Sequence, residues 1–418
     1  MKRLESIDKM TRVNFLNTMK PRILILMHYM ELGGAESALL GLLQSVDPAR
    51  ADVDVFIYDH RGELMQYIPT DKVRLLPEVT AYKMIERPLK ECVKVGQLGV
   101  ALGRWLASRT VDKSPVPDGK HDIRIFTRIA DWVEHFVPNI QPNVEYDLAI
   151  SFLMPHNYVI SKVRSKKKLG WIHTDYSTVY VDMKRELPVW EQLDYIASIS
   201  EEVGQKFVET FPSLKDKIIP IENILSSTFI RKRAEEEIVS FETNLPAIKL
   251  LTIGRFSPQK KMEEIPTICR RIVNEGVDVQ WFIIGFGGEE IEQVVRDNVE
   301  KEGVTDKVIL LGKKENPYPY IKACDIYVQP SRYEGKSITV REAQILYKPV
   351  IVTNYPTAAS QIQDGVDGII VPMEVDACAH EMAAFIRDKE KQNAIVEYLK
   401  THDYGNENEI EKIYKLCE

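Results

Sequence analysis

The chain has 418 residues, 44% of them hydrophobic and 28% charged, with a formal net charge of −7. That length exceeds a single hydrophobic core and argues for two domains, while the acidic balance argues against a nucleic-acid partner. Five cysteines, Cys92, Cys269, Cys324, Cys378 and Cys417, are scattered and never in CxxC spacing, so they read as reduced thiols and not as a disulfide framework or a zinc site.

Short apolar runs alternate with amphipathic stretches, which is the rhythm of α/β architecture with parallel sheets. In the first half, strands are predicted at 23–28, 53–58, 148–152, 169–172, 195–199 and 218–221. The pattern restarts with strands at 249–253, 279–284, 308–311, 326–329, 350–352 and 368–371. Residues 226–244 are rich in charge and short of strand signals, which sets the boundaries at 1–225 for the first domain and 226–395 for the second. Residues 396–418 are assigned to a terminal helix crossing back to the first domain. No apolar run has transmembrane length, and a cytoplasmic protein is expected.

Taken in chain order, the first chemical signal is Gly33-Gly34, between the first strand and the helical pattern of Ala38, Leu39, Leu42 and Leu43. Glycines there let backbone approach a phosphate at a helix N-terminus; a plain tight turn is the alternative. Asp52-Val53-Asp54 has the spacing of a metal-binding DxD but straddles the start of a strand, where alternate residues share a face, so it reads as structural. Residues 87–109 mix Leu89, Val93, Val95, Leu98, Val100, Leu102, Trp105 and Leu106 with Arg87, Lys90, Lys94 and Arg104. That mixture predicts a basic amphipathic segment for an anionic membrane surface; the alternative is an ordinary helix packed on the first sheet. His156 and His173, the latter followed by Asp175, stand at the ends of two predicted strands.

In the second half, Arg255 and Lys260 follow a strand end and place two positive charges where a diphosphate binds, Arg as a fork and Lys as a point charge. Gly285-Phe286-Gly287-Gly288 lacks the third glycine of a dinucleotide fingerprint. Glu334 and Glu342 are separated by seven residues around a predicted helix start near Ser337. Read as helix, they are rotated by ~80° and ~12 Å apart along the axis, so that two carboxylates hold the ends of one ligand with a diphosphate between them. No cluster has metal-ligand spacing, so neither metal nor other cofactor is expected.

Three motifs in order, Gly33-Gly34-Ala35-Glu36, then 254–260 (Gly-Arg-Phe-Ser-Pro-Gln-Lys), then the spaced Glu334 and Glu342, make the chain resemble the retaining glycosyltransferases of family 4 from Arg22 onward. The resemblance implies the GT-B fold, two Rossmann-like domains with parallel sheets facing across a cleft. It implies that Glu334 holds sugar hydroxyls of a donor, that Glu342 holds its ribose, and that the amides of Ser337 and Ile338 meet the diphosphate. Lys336 stands where the family commonly has an aromatic residue, and Ser337 where it has a glycine, so Lys336 would add a cation near phosphate. Gly312 with Lys313 would edge the base pocket. His173 resembles the family's histidine-bearing loop, and His156 stays a second candidate for the acceptor side with Asp175.

The implied activity is metal-independent hexosyl transfer from a nucleotide-sugar, UDP-hexose above all, to a glycan or lipid-linked acceptor in bacterial surface polysaccharide synthesis. The implied mechanism is attack on the same face, with the departing phosphate taking the acceptor's proton. Two other classes fit the architecture: a nucleotide-sugar 2-epimerase, and a non-catalytic protein that binds nucleotide-sugar.

Overall fold

The computed structural model describes residues 20–118, 120–241 and 247–418; residues 1–19 of the first predicted domain and 242–244 of the charge-rich segment lie outside it. The chain divides into two compact units, Met1–Ile224 with Glu407–Glu418, and Leu225–Asn406. The terminal segment therefore splits. Its residues 396–406 stay in the second unit, where Leu399 is part of the core. Only the last twelve return to the first, where Tyr414 Oη accepts from the Asp47 amide at 2.9 Å and Lys412 Nζ donates to Pro220 O at 2.9 Å.

In the first unit a seven-stranded parallel sheet runs, edge to edge, through Arg74–Leu75, Asp52–Ile57, Arg22–Met27, Tyr146–Ser151, Ser165–Ile172, Tyr195–Ser198 and Ile218–Pro220. The second has six parallel strands in the order Val308–Gly312, Val279–Phe286, Ile248–Arg255, Ile326–Gln329, Val350–Thr353 and Ile369–Val371. Every strand predicted from the sequence is present. The additions are Arg74–Leu75 and the paired His121–Asp122 and Val179–Tyr180, each only two residues and too short for a periodic signal. Both sheets begin in the middle, grow outward one way, then cross back and grow the other way. Loops leaving the two central neighbours diverge, which opens a crevice at the strands' carboxyl ends.

Strands covered on both faces must be apolar on both, and Arg22–Met27 is buried from Ile23 to Met27. In the second unit the alternation sorts neighbours to opposite cores. Leu250, Trp281, Ile283, Ile326 and Val328 pack on one side, while Leu251, Phe282, Ile284 and Tyr327 pack on the other. Each large side chain so buried contributes about 1.5–3 kcal/mol. Two polar groups trapped by this burial satisfy one another: Trp281 Nε1 donates to Thr252 Oγ1 at 2.9 Å, and that hydroxyl donates to Val328 O at 2.7 Å.

The 87–109 segment forms two helices, Leu89–Lys94 and Leu98–Thr110. Gly96, at φ +75°, makes the turn between them. A Cβ on Gly99 would lie 2.7 Å from Phe136 Cδ1 and one on Gly103 3.1 Å from Val133 Cγ2, so these glycines let the second helix lie close to its neighbours. Leu89, Val93, Val95, Leu98, Leu102 and Trp105 are exposed, whereas Val100 is buried. Two expected surface cations are occupied internally. Arg104 donates to the carbonyls of Arg87 and Met84, and Arg87 Nε donates to Asp59 at 2.7 Å, which leaves Lys90 and Lys94 as the exposed pair. Among the described residues no helix is long and apolar enough to cross a membrane.

Candidate functional site

Strand Ile326–Gln329 ends on a buried glutamine, and the chain then loops through 330–337 before helix Ile338–Ile345. Glu334 lies in that loop and not on the helix, so the helical spacing expected between Glu334 and Glu342 does not apply. Its side chain is buried, which is tolerable for a carboxylate only with charge and donors around it. Lys260 Nζ supplies the charge at 2.6 Å, and Ser331 Oγ at 2.5 Å and Gln329 Nε2 at 3.1 Å supply hydrogen bonds to the same Oε1. Gln329 is held in turn, its Oε1 accepting from Tyr327 Oη at 2.7 Å and Thr339 Oγ1 at 3.2 Å. Thr357 Oγ1 donates to the Glu334 carbonyl at 2.6 Å and pins the loop.

Lys260 ends a short 3-10 turn, Pro258–Lys260, just beyond strand Ile248–Arg255. Lys260 folds back over the strand end towards Glu334, its Cδ 3.5 Å from where a Cβ on Gly254 would stand, an ordinary contact distance. Arg255, the last residue of that strand, is exposed, and its side chain hydrogen-bonds to no described residue. One cation is thus committed and the other is available to an anion.

The helix amides differ from expectation at one position. Ser337 N–H donates to Gln361 Oε1 at 3.0 Å and Gln361 Nε2 returns to Ser337 O at 2.7 Å, so the Ser337 amide is already satisfied. No side chain caps the helix, which leaves Ile338 and Thr339 at its open N-terminus. Glu342 is buried one turn from the helix's end and accepts from Tyr318 Oη at 2.8 Å. Burial pushes its carboxyl up to about 7, partly offset by that hydrogen bond. Gly312 closes its strand at φ +68° with open space where a Cβ would stand, and Lys313 Nζ lies 5.2 Å over the Phe286 ring. Lys336 sits half-buried in the loop beside Ser337.

In the first unit Gly33 precedes helix Gly34–Gln44 in extended backbone. A Cβ there would strike the Glu36 carboxylate, which folds back over the helix start. This N-terminus, where the sequence places a phosphate at Gly33 and Gly34, carries the Glu36 carboxylate beside it. His173 follows strand Ser165–Ile172 with its ring centroid 4.6 Å from that of Phe152, whose carbonyl accepts its ring N–H. His156 is fully enclosed, with Nδ1 2.8 Å from Ser151 Oγ. Burial drives both imidazoles down to about 3 and keeps them neutral. Asp175 accepts from Ser177 N at 2.8 Å and so caps a local turn. Asp54 is structural as predicted, taking Arg74 Nε at 2.8 Å and Tyr146 Oη at 2.6 Å.

Residues 234–402 match the family model described as Glycosyl transferases group 1. An uncharacterised glycosyltransferase of Methanocaldococcus jannaschii is 26% identical over 170 residues, covering 40% of this chain and 41% of that protein. The UDP-Gal:alpha-D-GlcNAc-diphosphoundecaprenol alpha-1,3-galactosyltransferase of Escherichia coli is 24% identical over 159 residues, covering 37% and 40%. The crystal structure of HepE from Anabaena with UDP-glucose superposes with a TM-score of 0.63 at 16% identity, covering 94% of this chain and 100% of that one. The chain has the GT-B fold, and its residues 234–402 are similar to group 1 glycosyltransferases. Its matches to these two sequence relatives span about two-fifths of their length.

Within the GT-B fold the sequence motifs mark these loops and miss their supports. Gln329, Ser331, Tyr318, Thr357 and Gln361 hold the two glutamates and the helix start, yet each is a common residue type at no diagnostic spacing. His28 was also missed. It follows the first strand, with Nδ1 2.6 Å from Glu86 Oε1, a contact between positions 58 residues apart.

Proposed function

We propose that this protein is a retaining hexosyltransferase that moves a sugar from a UDP-hexose to a glycan or lipid-linked acceptor, in synthesis of a bacterial surface polysaccharide. The observation that carries this reading is the buried Glu334 carboxylate, held by Lys260, Gln329 and Ser331 ahead of an uncapped helix, with the exposed Arg255 closing the adjacent strand. Glu334 takes the sugar hydroxyls, Glu342 the ribose, and Gly312 with Lys313 the edge of the base. Departure of UDP leaves negative charge on the diphosphate. Arg255, Lys260, Lys336 and the amides of Ile338 and Thr339 are fixed positive groups suited to stabilise it without a metal ion. No carboxylate is assigned as nucleophile, so the acceptor attacks on the face the phosphate leaves and gives its proton to that phosphate. His173 lies on the acceptor side.

The donor assignment draws support from the E. coli relative, whose name contains UDP-Gal, and from HepE, which binds UDP-glucose. A 2-epimerase or a non-catalytic binder is the weaker reading, because both named sequence relatives are glycosyltransferases. The diphosphoundecaprenol acceptor of the same E. coli relative suits a cytoplasmic enzyme working at the inner face of a membrane. The exposed apolar residues of 89–105 with Lys90 and Lys94 provide a surface for that.

Thermal unfolding in the presence of UDP-glucose, UDP-galactose, UDP-N-acetylglucosamine and GDP-mannose tests the donor. A ligand at a hundred times its Kd adds ~2.7 kcal/mol of stability, and at least one UDP-sugar is expected to do so. Slow UDP release from that sugar is expected to persist in EDTA. Absence of stabilisation by every UDP-sugar sinks the donor reading, and loss of turnover on chelation with recovery on Mg²⁺ sinks metal independence.

A further inference from the structure

The first unit holds a narrow cavity, wide enough for a water-sized group, enclosed by helix Arg124–Val133, the loop 154–157 and helix Met183–Glu191. His156 and Glu186 both line it, and each side chain is among the most buried polar groups of the unit at 3% exposure. Each also leaves one polar atom with no hydrogen-bond partner among the described residues, Nε2 of His156 and Oε1 of Glu186. Such orphans cost about 1–3 kcal/mol apiece. Two of them in one cavity mark a place built for a ligand or an ordered water.

The hydrogen-bond network sets which atom gives and which accepts. Ser151 Oγ donates to Leu153 O at 3.0 Å, so it must accept from His156 Nδ1 at 2.8 Å, and Nε2 is left as a lone-pair acceptor. The Trp190 indole donates to the Glu186 carboxyl, whose Oε1 is free of partners. Burial pushes Glu186 up to about 8 and His156 down to about 3, so at neutral pH the carboxyl carries a proton and the imidazole does not. The pair therefore presents one donor and one acceptor. On the two flanks the His156 ring meets Trp190 edge-on at 4.4 Å, and Arg185 Nη1 pairs with Asp131 Oδ2 at 3.3 Å. Met154 and Val189 add apolar wall for C–H groups.

We infer that this cavity is a hydroxyl-recognition subsite for a carbohydrate or polyol, one whose hydroxyl donates to His156 Nε2 and accepts from Glu186. In the proposed reaction that molecule is the acceptor, an assignment which rests on the transferase reading. Neither residue is given a chemical step; both position.

The test uses the full chain with labelled histidine and watches the His156 ring resonances by NMR during titration with methyl α-D-glucopyranoside, methyl α-D-galactopyranoside and glycerol. At least one of them is expected to shift the His156 Nε2 signal saturably, and Glu186→Leu, which removes the donor, is expected to weaken that binding about tenfold, whereas Glu186→Gln, whose oxygen accepts from Trp190 while its amide N–H faces the cavity, is expected to retain it. Val189→Phe, which narrows the cavity and leaves both polar groups in place, is expected to abolish the shift. His156 signals indifferent to all three compounds, or a shift that survives both Glu186→Leu and Val189→Phe, overturn the inference and leave an ordered water as occupant. Binding of UDP-sugar to the same samples, followed by thermal unfolding, separates the two readings: stabilisation by a UDP-sugar with a silent His156 removes only this subsite, while a responsive His156 with no UDP-sugar binding keeps a polyol site and removes the transferase.

Discussion

At the scale of single residues, Lys260 and Arg255 have different duties although the sequence presents them as a pair. Lys260 is held by Glu334 at 2.6 Å, so Lys260→Ala removes the charge that keeps a buried carboxylate in place and also the proposed diphosphate contact. Arg255→Ala removes only the contact. Turnover of a UDP-sugar is expected to fall by about one to three orders of magnitude in both, with Lys260→Ala the worse. Values of kcat/KM within threefold of wild type in both would remove the donor site from these loops. Glu342 makes a second prediction. Its carboxyl titrates near 7, and a ribose pair of hydroxyls needs the ionised form, so UDP affinity should weaken as pH falls through about 7. Tyr318 Oη stabilises the anion, and Tyr318→Phe should therefore move that midpoint upward. Calorimetric titration with UDP from pH 5.5 to 8.5 measures both; a flat profile means Glu342 does not touch the ribose. The motifs that located Glu334 and Glu342 carried no trace of Tyr318 or Gln329, because a hydroxyl or amide that orients a carboxylate is chosen by position in space.

At the scale of elements, the two helices of 89–110 show why a pattern of residue types underdetermines a surface. Val93 is 56% and Leu98 62% exposed, and Leu98, Leu102 and Trp105 share a face at helical spacing. Arg104 and Arg87, however, belong to the interior bonding of the unit, and only Lys90 and Lys94 are exposed cations among the four expected. Co-sedimentation with anionic liposomes at low salt is the measurement. Wild type is expected to bind and to be released by salt, and Lys90→Glu with Lys94→Glu to bind several-fold less, in line with about 1 kcal/mol per basic residue at such a surface. Failure of wild type to sediment at low salt returns this face to an ordinary exposed surface and makes a soluble acceptor the better expectation. Gly99 and Gly103, poor helix formers, allow the close packing of this helix on Phe136 and Val133.

At the scale of the whole molecule, four buried ionisable groups shape stability against pH. Glu342 and Glu186 are raised from an ordinary 4.5 to about 7 and about 8. Their contribution is complete below about 4.5 and is lost as pH rises through those folded values. His156 and His173 are lowered from 6.5 to about 3, so theirs is complete above about 6.5 and is lost as pH falls towards 3. Between about 4.5 and 6.5 the two effects cancel. These four groups therefore predict a plateau in that window with decline on both sides, and Glu186→Gln should flatten the alkaline decline. Urea midpoints taken at half-unit pH intervals test it; an alkaline limb unchanged in Glu186→Gln would show that Glu186 ionises freely in the folded state.

Apolar runs of strand length separated by helical periodicity determined by themselves the two parallel α/β halves and the strand ends after which Lys260, Glu334 and Glu342 follow, since burial on both faces of a sheet must be written into local composition. Only the tertiary structure decided the rest. It took Glu334 off the helix, gave the Ser337 amide to Gln361, covered the Gly33 helix start with Glu36, and returned the last twelve residues to the first unit. Each of these is a contact between groups or a choice of backbone path whose partner is common in type and unmarked by spacing. Which carboxylate or amide satisfies a given charge depends on distances in the folded chain, and those are absent from its order.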